Sequence, residues 1–145
     1  FYYLSRYNNK LKLMQKAPRK VYLVDNGFIT SKSFSLSENL GRLLENQVFI
    51  ELLRRGYDVE KTMFYYRSRN DKEVDFVLRK ANKVETLVQV CYDMSSPKTE
   101  KREVESIVEC AEELNCNNLI IVTYNDKRVI ERKDYKINVV PILEF

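Results

Sequence analysis

The chain has no histidine, and this absence removes several kinds of catalysis and metal binding at once. Without histidine, neither a serine–histidine nor a cysteine–histidine nucleophile can form, and zinc sites that combine cysteine with histidine are excluded. Any general base must therefore be an aspartate, a glutamate, a lysine or a metal-bound water.

Cysteine and glycine are also scarce, at three residues each. Cys91, Cys110 and Cys116 cannot all pair within the chain because their number is odd, and their spacing fits no zinc signature. Unpaired thiols are typical of a reducing compartment, so we predict a cytoplasmic protein. The phosphate-binding motif of P-loop ATPases is absent, which predicts that the chain itself does not hydrolyse ATP.

Long hydrophobic runs are missing as well. No apolar stretch reaches the roughly 18 residues of a transmembrane helix, so we predict that no segment spans a membrane. A content of 44% hydrophobic and 32% charged residues over 145 positions predicts one globular domain, residues 1–145. Because the chain starts at Phe1, we expect it to be a fragment of a longer protein.

Positive charge is concentrated near the start of the chain. The net charge is only +4, but the first 32 residues hold seven lysines and arginines against one aspartate. Lys10, Lys12 and Lys16 belong to this stretch, and tyrosines lie nearby in the sequence. Such a stretch can bind phosphates and stack bases, or it can be a solvated basic edge. Both interpretations remain open at this stage.

The hydrophobic pattern predicts an α/β fold. Apolar residues at three- to four-residue spacing predict helices over 38–55 and 97–114, with Gly56 as the C-terminal cap of the first. Short β-prone runs predict strands over 1–7, 20–24, 62–67, 73–79, 86–92, 119–123 and 136–142. A turn is expected at Asp25-Asn26-Gly27. The core order helix-strand-strand-strand-helix-strand predicts a mixed central sheet flanked by helices.

Strict alternation along 73–79 assigns each residue to a face of the sheet. Val74, Phe76 and Leu78 are expected on one face, and Glu73, Asp75 and Val77 on the other. Gln89 and Cys91 share a face of the next strand.

Three polar residues can meet at the sheet edge if these faces converge. Glu45 lies beside the apolar stripe of the first helix, so Glu45, Asp75 and Gln89 would form one cluster. Carboxylates grouped in this way can hold Mg²⁺ for phosphodiester hydrolysis. They can equally be structural, pairing with nearby arginines. Spacing alone leaves both interpretations open.

Four stretches in order carry a resemblance to a known family. They are KVYLVDNGF (20–28), GRLLENQVFIELLRRG (41–56), YYRSRNDKEVDFVL (65–78) and LVQVCYD (87–93). Together they resemble the C-terminal domain of archaeal-type AAA+ ATPases, a domain of unknown function with a PD-(D/E)XK restriction-endonuclease-like core. The resemblance covers nearly the whole chain and implies that a P-loop ATPase module precedes the domain. ATP would then bind only in that upstream module.

The resemblance also implies a degenerate nuclease site. Glu45 and Asp75 match the family's helix glutamate and strand aspartate, whereas Gln89 and Cys91 stand where the family has Glu-x-Lys. A neutral amide and a thiol replace a carboxylate and an ammonium, so we expect only a weak Mg²⁺ site at Glu45 and Asp75. Lys98 or Lys101 on the following helix are candidates for a migrated catalytic lysine.

Three functions follow as hypotheses. The first is a non-enzymatic, nuclease-like accessory domain that binds nucleic acid or a protein partner for its ATPase. The second is a metal-dependent nuclease with a migrated lysine. The third is a protein-interaction module that uses the charged second helix or an edge strand near Tyr2 or Tyr65. The partners left open are nucleic acid, the upstream ATPase module and a second copy of the chain.

Overall fold

The computed structural model describes residues 1–24 and 36–145, with side chains from residue 38 onward in the second range. The turn predicted at Asp25-Asn26-Gly27 lies outside these ranges.

Within the described ranges the chain forms three α-helices and eight β-strands. The helices are α1 (Leu11–Lys16), α2 (Leu36–Arg54) and α3 (Pro97–Leu114). The strands are β1 (Tyr2–Leu4), β2 (Lys20–Tyr22), β3 (Met63–Arg67), β4 (Glu73–Lys80), β5 (Lys83–Val90), β6 (Leu119–Thr123), β7 (Arg128–Arg132) and β8 (Tyr135–Pro141). A 3-10 turn (Ile142–Glu144) follows β8.

Six of the strands form one mixed sheet in the order β3-β4-β5-β6-β8-β7. β5, β6 and β8 run parallel, and the remaining pairs are antiparallel. The predicted order of helix, three strands, helix and strand is confirmed, as is the α/β class. β1 and β2 form a separate antiparallel pair.

Helices cover the sheet on both faces. On the α3 face, Val104, Ile107 and Ala111 of α3 pack in one buried cluster with Val77 and Leu87. These helix positions recur at three- to four-residue spacing, which is why α3 presents a continuous apolar stripe. The helix begins at Pro97 after Ser96 and ends at Asn115 in a left-handed conformation.

The opposite face, the α2 face, has its own buried cluster. Phe49 and Leu52 of α2 pack there with Phe76 and Val88 of the sheet. The β1–β2 pair completes this layer: the Tyr22 ring stacks on Phe49 with centroids 4.4 Å apart. Gly56, with a φ of 97°, ends α2 as predicted.

A β-bulge in β4 overturns the predicted alternation. Phe64 of β3 pairs with Val77 but Tyr66 pairs with Val74, so the single β3 residue between them faces two residues of β4, Asp75 and Phe76. Val74 therefore packs on the α3 face together with Val77. Phe76 packs on the α2 face. The assignment of Val74 to the same face as Phe76 is wrong because period-two alternation does not survive an extra residue.

The β3 edge of the sheet is covered by the N-terminal segment. Tyr7 N–H donates to the Tyr65 carbonyl at 2.7 Å, and Tyr65 N–H donates to the Ser5 carbonyl at 3.1 Å. The backbone at Tyr65, near the edge predicted to recruit a partner, is therefore already paired with the N-terminal segment. The opposite edge, β7, alternates half-buried and exposed residues that are mostly charged.

Two elements were not predicted, and some ends differ. The sequence pattern predicts neither α1 nor β7. Of the strand predicted over 1–7, only Tyr2–Leu4 is regular, and the strand predicted over 86–92 runs from Lys83 to Val90. The three cysteines are free thiols. No helix in the described ranges combines the length and the apolar character needed to cross a bilayer.

Candidate functional site

Asp75 lies in the bulge, next to the point where the pairing of β4 with β5 stops. Regular pairing of the two strands begins only at Phe76 and Val88. Before that point, Val90 N–H donates to Asp75 Oδ2 at 2.9 Å, and Asp75 N–H donates to Gln89 Oε1 at 2.9 Å. Side chains thus replace the missing ladder, and the Asp75 carboxylate is fixed between the strands.

Lys20 brings three carboxylates together on the α2 face. Its Nζ lies 3.1 Å from Glu45 Oε1, 2.7 Å from Glu73 Oε1 and 3.0 Å from Asp75 Oδ1. We call these four residues the carboxylate–lysine cluster. They come from three elements: Lys20 from β2, Glu45 from α2, and Glu73 and Asp75 from β4.

The residue next to Glu45 holds β2 over the cluster. Asn46 Oδ1 accepts a hydrogen bond from Leu23 N–H at 2.9 Å, and its amide donates to the Leu23 carbonyl at 2.7 Å. Because Asn46 is buried, this clamp is shielded from water. Adjacent residues of α2 thus bind the backbone of the β2 segment and the side chain of Lys20.

The charges of the cluster are strongly coupled. Burial alone would lower the pKa of Lys20, but the negative charges of Asp75, Glu45 and Glu73 outweigh it, and the pKa is raised well above its usual range. Burial and the neighbouring Asp75 raise the pKa of Glu45 to about 8, against the opposing effect of Lys20. Lys20 therefore stays charged at neutral pH, while burial beside Asp75 favours the protonated form of the Glu45 carboxyl.

A buried tyrosine hydroxyl adjoins the cluster. Tyr22 is 3% exposed, and its hydroxyl has no hydrogen-bond partner among the residues that the structure describes. Burial raises the pKa of Tyr22, and the charge of Glu45 adds to this effect. An unsatisfied polar atom beside a charged cluster is uncommon in native structures.

Gln89 extends to the α3 face. Its amide nitrogen donates to Glu103 Oε2 at 2.6 Å. Burial raises the pKa of Glu103, and the charge of Asp75 adds to this effect, while the Gln89 hydrogen bond opposes it. The Gln89 side chain thus links the backbone of Asp75 to α3, and both ends of its amide are occupied.

Cys91 lies on the same face as Gln89, as predicted. Its Sγ donates to the Asp93 carbonyl at 3.4 Å, and the side chain packs against the apolar cluster of the α3 face. Burial, with the nearby charge of Glu103, raises the pKa of Cys91 to about 11. The thiol is therefore protonated at neutral pH and supplies no charge to the site.

The structure brings together part of the predicted cluster. Glu45 and Asp75 meet through Lys20, whereas Gln89 contacts Asp75 through its backbone and turns to Glu103. The candidate migrated lysines lie elsewhere: Lys98 is exposed, and the ammonium of Lys101 is 4.0 Å from Glu105. In the described part of the chain, Lys20 alone among lysines has its ammonium within 4.0 Å of Glu45 or Asp75.

Three residues of the site were not predicted as such: Lys20, Glu73 and Glu103. Glu73 has the same strand parity as Asp75, which was a usable signal. Glu103 stands four residues before the buried Ile107, beside the apolar stripe of α3. Lys20 was counted with the basic stretch, and nothing in its local sequence indicates a contact 55 residues away.

The arrangement does not fit Mg²⁺ as it stands. Among the described residues, no group of three acidic, cysteine or histidine side chains has the arrangement needed to hold a metal ion, and this includes the three carboxylates around Lys20. The cluster oxygens surround the Lys20 nitrogen at 2.7–3.1 Å, whereas Mg²⁺ requires about 2.0–2.1 Å. The second oxygen of Asp75 is engaged by Val90 N–H. The weak Mg²⁺ site expected at Glu45 and Asp75 is thus filled by an ammonium.

Of the lysines predicted to contact nucleic acid, Lys12 and Lys16 lie on α1 and Lys10 immediately precedes it. Lys10, Lys12 and Lys16 are exposed, and none has a carboxylate within 4.0 Å among the described residues. Nearby, the Arg79 guanidinium lies 5.7 Å from the centroid of the Tyr7 ring. The buried Nε of Arg79 has no hydrogen-bond partner in the same part of the chain. We call Lys10, Lys12 and Lys16 the α1 surface.

The fold and the site define an α/β domain in which a mixed sheet carries a half-buried carboxylate–lysine cluster at a β-bulge. The chain belongs to the family called "Domain of unknown function (DUF4143)", whose sequence model matches residues 40–145.

Two relatives are similar to this chain, and the name of each states no function. "Uncharacterized protein MJ1544" of Methanocaldococcus jannaschii is 37% identical over 144 residues, which cover 95% of this chain and 31% of that protein. An uncharacterized protein of Haemophilus influenzae is 37% identical over 94 residues, which cover 65% of this chain and 22% of that protein. The chain thus spans about a third or less of these relatives. No solved structure is significantly similar.

Proposed function

We propose that the chain is a catalytically silent, nuclease-like accessory domain of an AAA+ ATPase, and that it binds nucleic acid for that ATPase through the α1 surface. The order of the four sequence motifs supports this assignment. So does the short span of the match, because 31% coverage of the archaeal relative leaves most of that protein for a separate module.

The positions of Gln89 and Cys91 support the absence of catalysis. Phosphodiester cleavage needs a group that stabilises the developing negative charge, usually a metal ion or a free ammonium. Gln89 is neutral and bonded at both ends, and the Cys91 thiol is protonated. The nearest ammonium, on Lys20, is held by three carboxylates and has little capacity left for a phosphate.

Nucleic-acid binding is supported by a difference between two groups of lysines, one without and one with carboxylate partners. Those of the α1 surface have no acidic partner within the described residues. Lysines at the β7 end are paired: Lys127 with Glu144 at 2.7 Å, Lys133 with Glu112 at 3.6 Å and Lys136 with Glu131 at 3.9 Å. Unpaired cations on one short helix are available to phosphates, and the exposed ring of Tyr3 adds a surface for base stacking.

The test compares two triple variants with the same loss of charge. One replaces Lys10, Lys12 and Lys16 with glutamine, and the matched control replaces Lys127, Lys133 and Lys136. Affinity for single- and double-stranded DNA is measured by fluorescence anisotropy between 50 and 300 mM salt. The α1 variant should lose about 0.7–0.9 from the salt slope per lost phosphate contact, and the control should keep the wild-type slope.

Equal losses in both variants would show that net charge alone drives binding. An unchanged slope in the α1 variant would place the binding surface elsewhere. Absence of DNA binding by the wild-type chain would favour the protein-interaction hypothesis.

A metal-dependent nuclease is the second candidate, favoured by one observation. A lysine does reach Asp75, although it comes from β2 rather than from the helix that follows β5. Nicking of supercoiled plasmid with Mg²⁺ or Mn²⁺ decides between the candidates. We expect no cleavage. Cleavage by the wild type that disappears in Asp75→Ala and in EDTA would show that the chain is an enzyme.

A further inference from the structure

We propose that Lys20 is a built-in cation that replaces a metal ion: its ammonium holds Glu45, Glu73 and Asp75 together, and without it these carboxylates become a site for a divalent cation, Ca²⁺ in preference to Mg²⁺. This proposal rests on the part of the proposed function that concerns the absence of catalysis. Its test uses no nucleic acid, so failure here and failure of nucleic-acid binding can be told apart.

The geometry of the ammonium is that of a central ion. One oxygen from each of three carboxylates lies 2.7–3.1 Å from Nζ, and the three come from two different elements. The ammonium donates hydrogen bonds to Glu45 and Asp75 and forms an ion pair with Glu73. Without a cation, these half-buried carboxylates would repel one another, which is why β4 and α2 need this partner.

Lys20 is anchored by its backbone as well as by its charge. Its position in β2 is opposite Leu4 of β1, and the Asn46 clamp fixes Leu23 three residues later. A bound metal ion exchanges with solvent, whereas this cation leaves only if the β1–β2 pair separates from α2. The ammonium of Lys20 is therefore a permanent part of the cluster in the folded chain.

The spacing indicates which ion would fit the vacated position. Carboxylate oxygens bind Ca²⁺ at 2.3–2.6 Å and Mg²⁺ at about 2.0–2.1 Å. The observed 2.7–3.1 Å is closer to the calcium range, so smaller movements of Glu45, Glu73 and Asp75 would suffice. Tyr22 lies two residues after Lys20, on the same face of β2, and its hydroxyl, which has no hydrogen-bond partner among the described residues, is a further candidate oxygen donor.

The experiment measures thermal unfolding of the chain in EDTA, in CaCl₂ and in MgCl₂ at equal ionic strength. Wild type should unfold at the same temperature in all three. Lys20→Met should unfold on the order of 10 °C lower in EDTA, because a buried charge group loses its partner. Calcium should restore at least half of that loss, and magnesium less. Lys20→Met with Asp75→Asn should lose the calcium response.

A second variant covers the case in which Lys20→Met does not fold in EDTA. Lys20→Gln with Glu73→Gln leaves two carboxylates instead of three and so reduces the unbalanced charge. Calcium-dependent stabilisation of either variant supports the proposal. No calcium response in both variants would overturn it, and so would one-site calcium or magnesium binding to the wild type in isothermal titration calorimetry, because the site would then not be filled by Lys20.

Discussion

Asp75 lies between two contrasting regions. On the α2 face it meets a lysine and two further carboxylates, all within hydrogen-bond distance of one nitrogen. On the α3 face its backbone meets the neutral amide of Gln89, which in turn contacts Glu103. One region is held by charge and the other by a chain of single hydrogen bonds.

The comparison shows which elements supply the charged groups around Asp75. Gln89 of β5 and Cys91 just after it supply neither a negative nor a positive charge. The ammonium beside Asp75 comes instead from Lys20 of β2, and Glu73 of β4 adds a third carboxylate. Because these charges contact one another directly, we expect the α2 face to dominate stability.

The largest expected effect on the free energy of unfolding comes from removing the carboxylate of Asp75, which lies between the two faces. Asp75→Ala should lower the free energy of unfolding by about 3–5 kcal/mol, because Lys20 and Val90 N–H both lose a buried partner. Urea unfolding followed by circular dichroism measures this. Glu112→Ala, which removes an exposed ion pair with Lys133, is the control and should cost at most about 1 kcal/mol. Similar losses in the two variants would contradict the picture of a buried charge centre.

The pH dependence of stability should come from the α2 face. The folded pKa of Glu45 is raised from 4.5 to about 8, so the folded chain binds this proton more tightly than the unfolded chain. Stability contributed by the group is therefore fully present below about pH 4.5 and is lost as pH rises to about 8. Glu45→Gln should flatten this fall, which we expect to be about 2–4 kcal/mol. Parallel pH profiles for wild type and Glu45→Gln would be evidence against the shift.

A new charge on the α3 face should be less costly. Gln89→Glu would bring a carboxylate to about the 2.6 Å that now separates the Gln89 amide nitrogen from Glu103 Oε2, and the two would repel. We expect a loss of about 1–3 kcal/mol at pH 7 that recovers near pH 5, where one of the pair is protonated.

The paired change Gln89→Glu with Glu103→Gln exchanges donor and acceptor and should recover most of the stability. If Gln89→Glu is instead as stable as wild type at pH 7, the contact with Glu103 is not formed in solution.

The smallest effect is expected at Cys91. Cys91→Ser should change the free energy of unfolding by less than about 1 kcal/mol, because the thiol is only a weak donor to the Asp93 carbonyl. Its pKa of about 11 also predicts slow alkylation by iodoacetamide at pH 8 compared with a free cysteine peptide. Alkylation of Cys91 at the peptide rate would show that its thiolate is not disfavoured.

Sequence alone could predict the elements whose periodicity is strong. The apolar stripes of α2 and α3 and the unbroken run of β6 specify their structure locally, and their order gave the mixed sheet. It could not predict α1, a helix of six residues without a buried side chain. β7 was missed for a related reason: Arg128–Arg132 has only two apolar residues and forms an edge.

Part of the site could be predicted, because local periodicity places a residue on an element but does not specify its distant contacts. Glu45 and Asp75 could be placed by helix and strand periodicity. The bulge at Asp75 depends on pairing with β3, which leaves no mark in the β4 sequence. The contact between Lys20 and Asp75 spans 55 residues and depends on how the β1–β2 pair sits on α2, so local patterns carry no information about it.

The hydrogen bonds between Tyr65 and the N-terminal segment have a consequence for solubility. β3 is an aromatic strand, Met-Phe-Tyr-Tyr-Arg, at the border of the sheet. Its backbone is capped by Ser5 and Tyr7, and a bare strand of this composition is a template for other chains to add to. We therefore expect the first seven residues to protect the domain from aggregation, and a chain shortened by them to precipitate or form oligomers through β3 even if its core still folds.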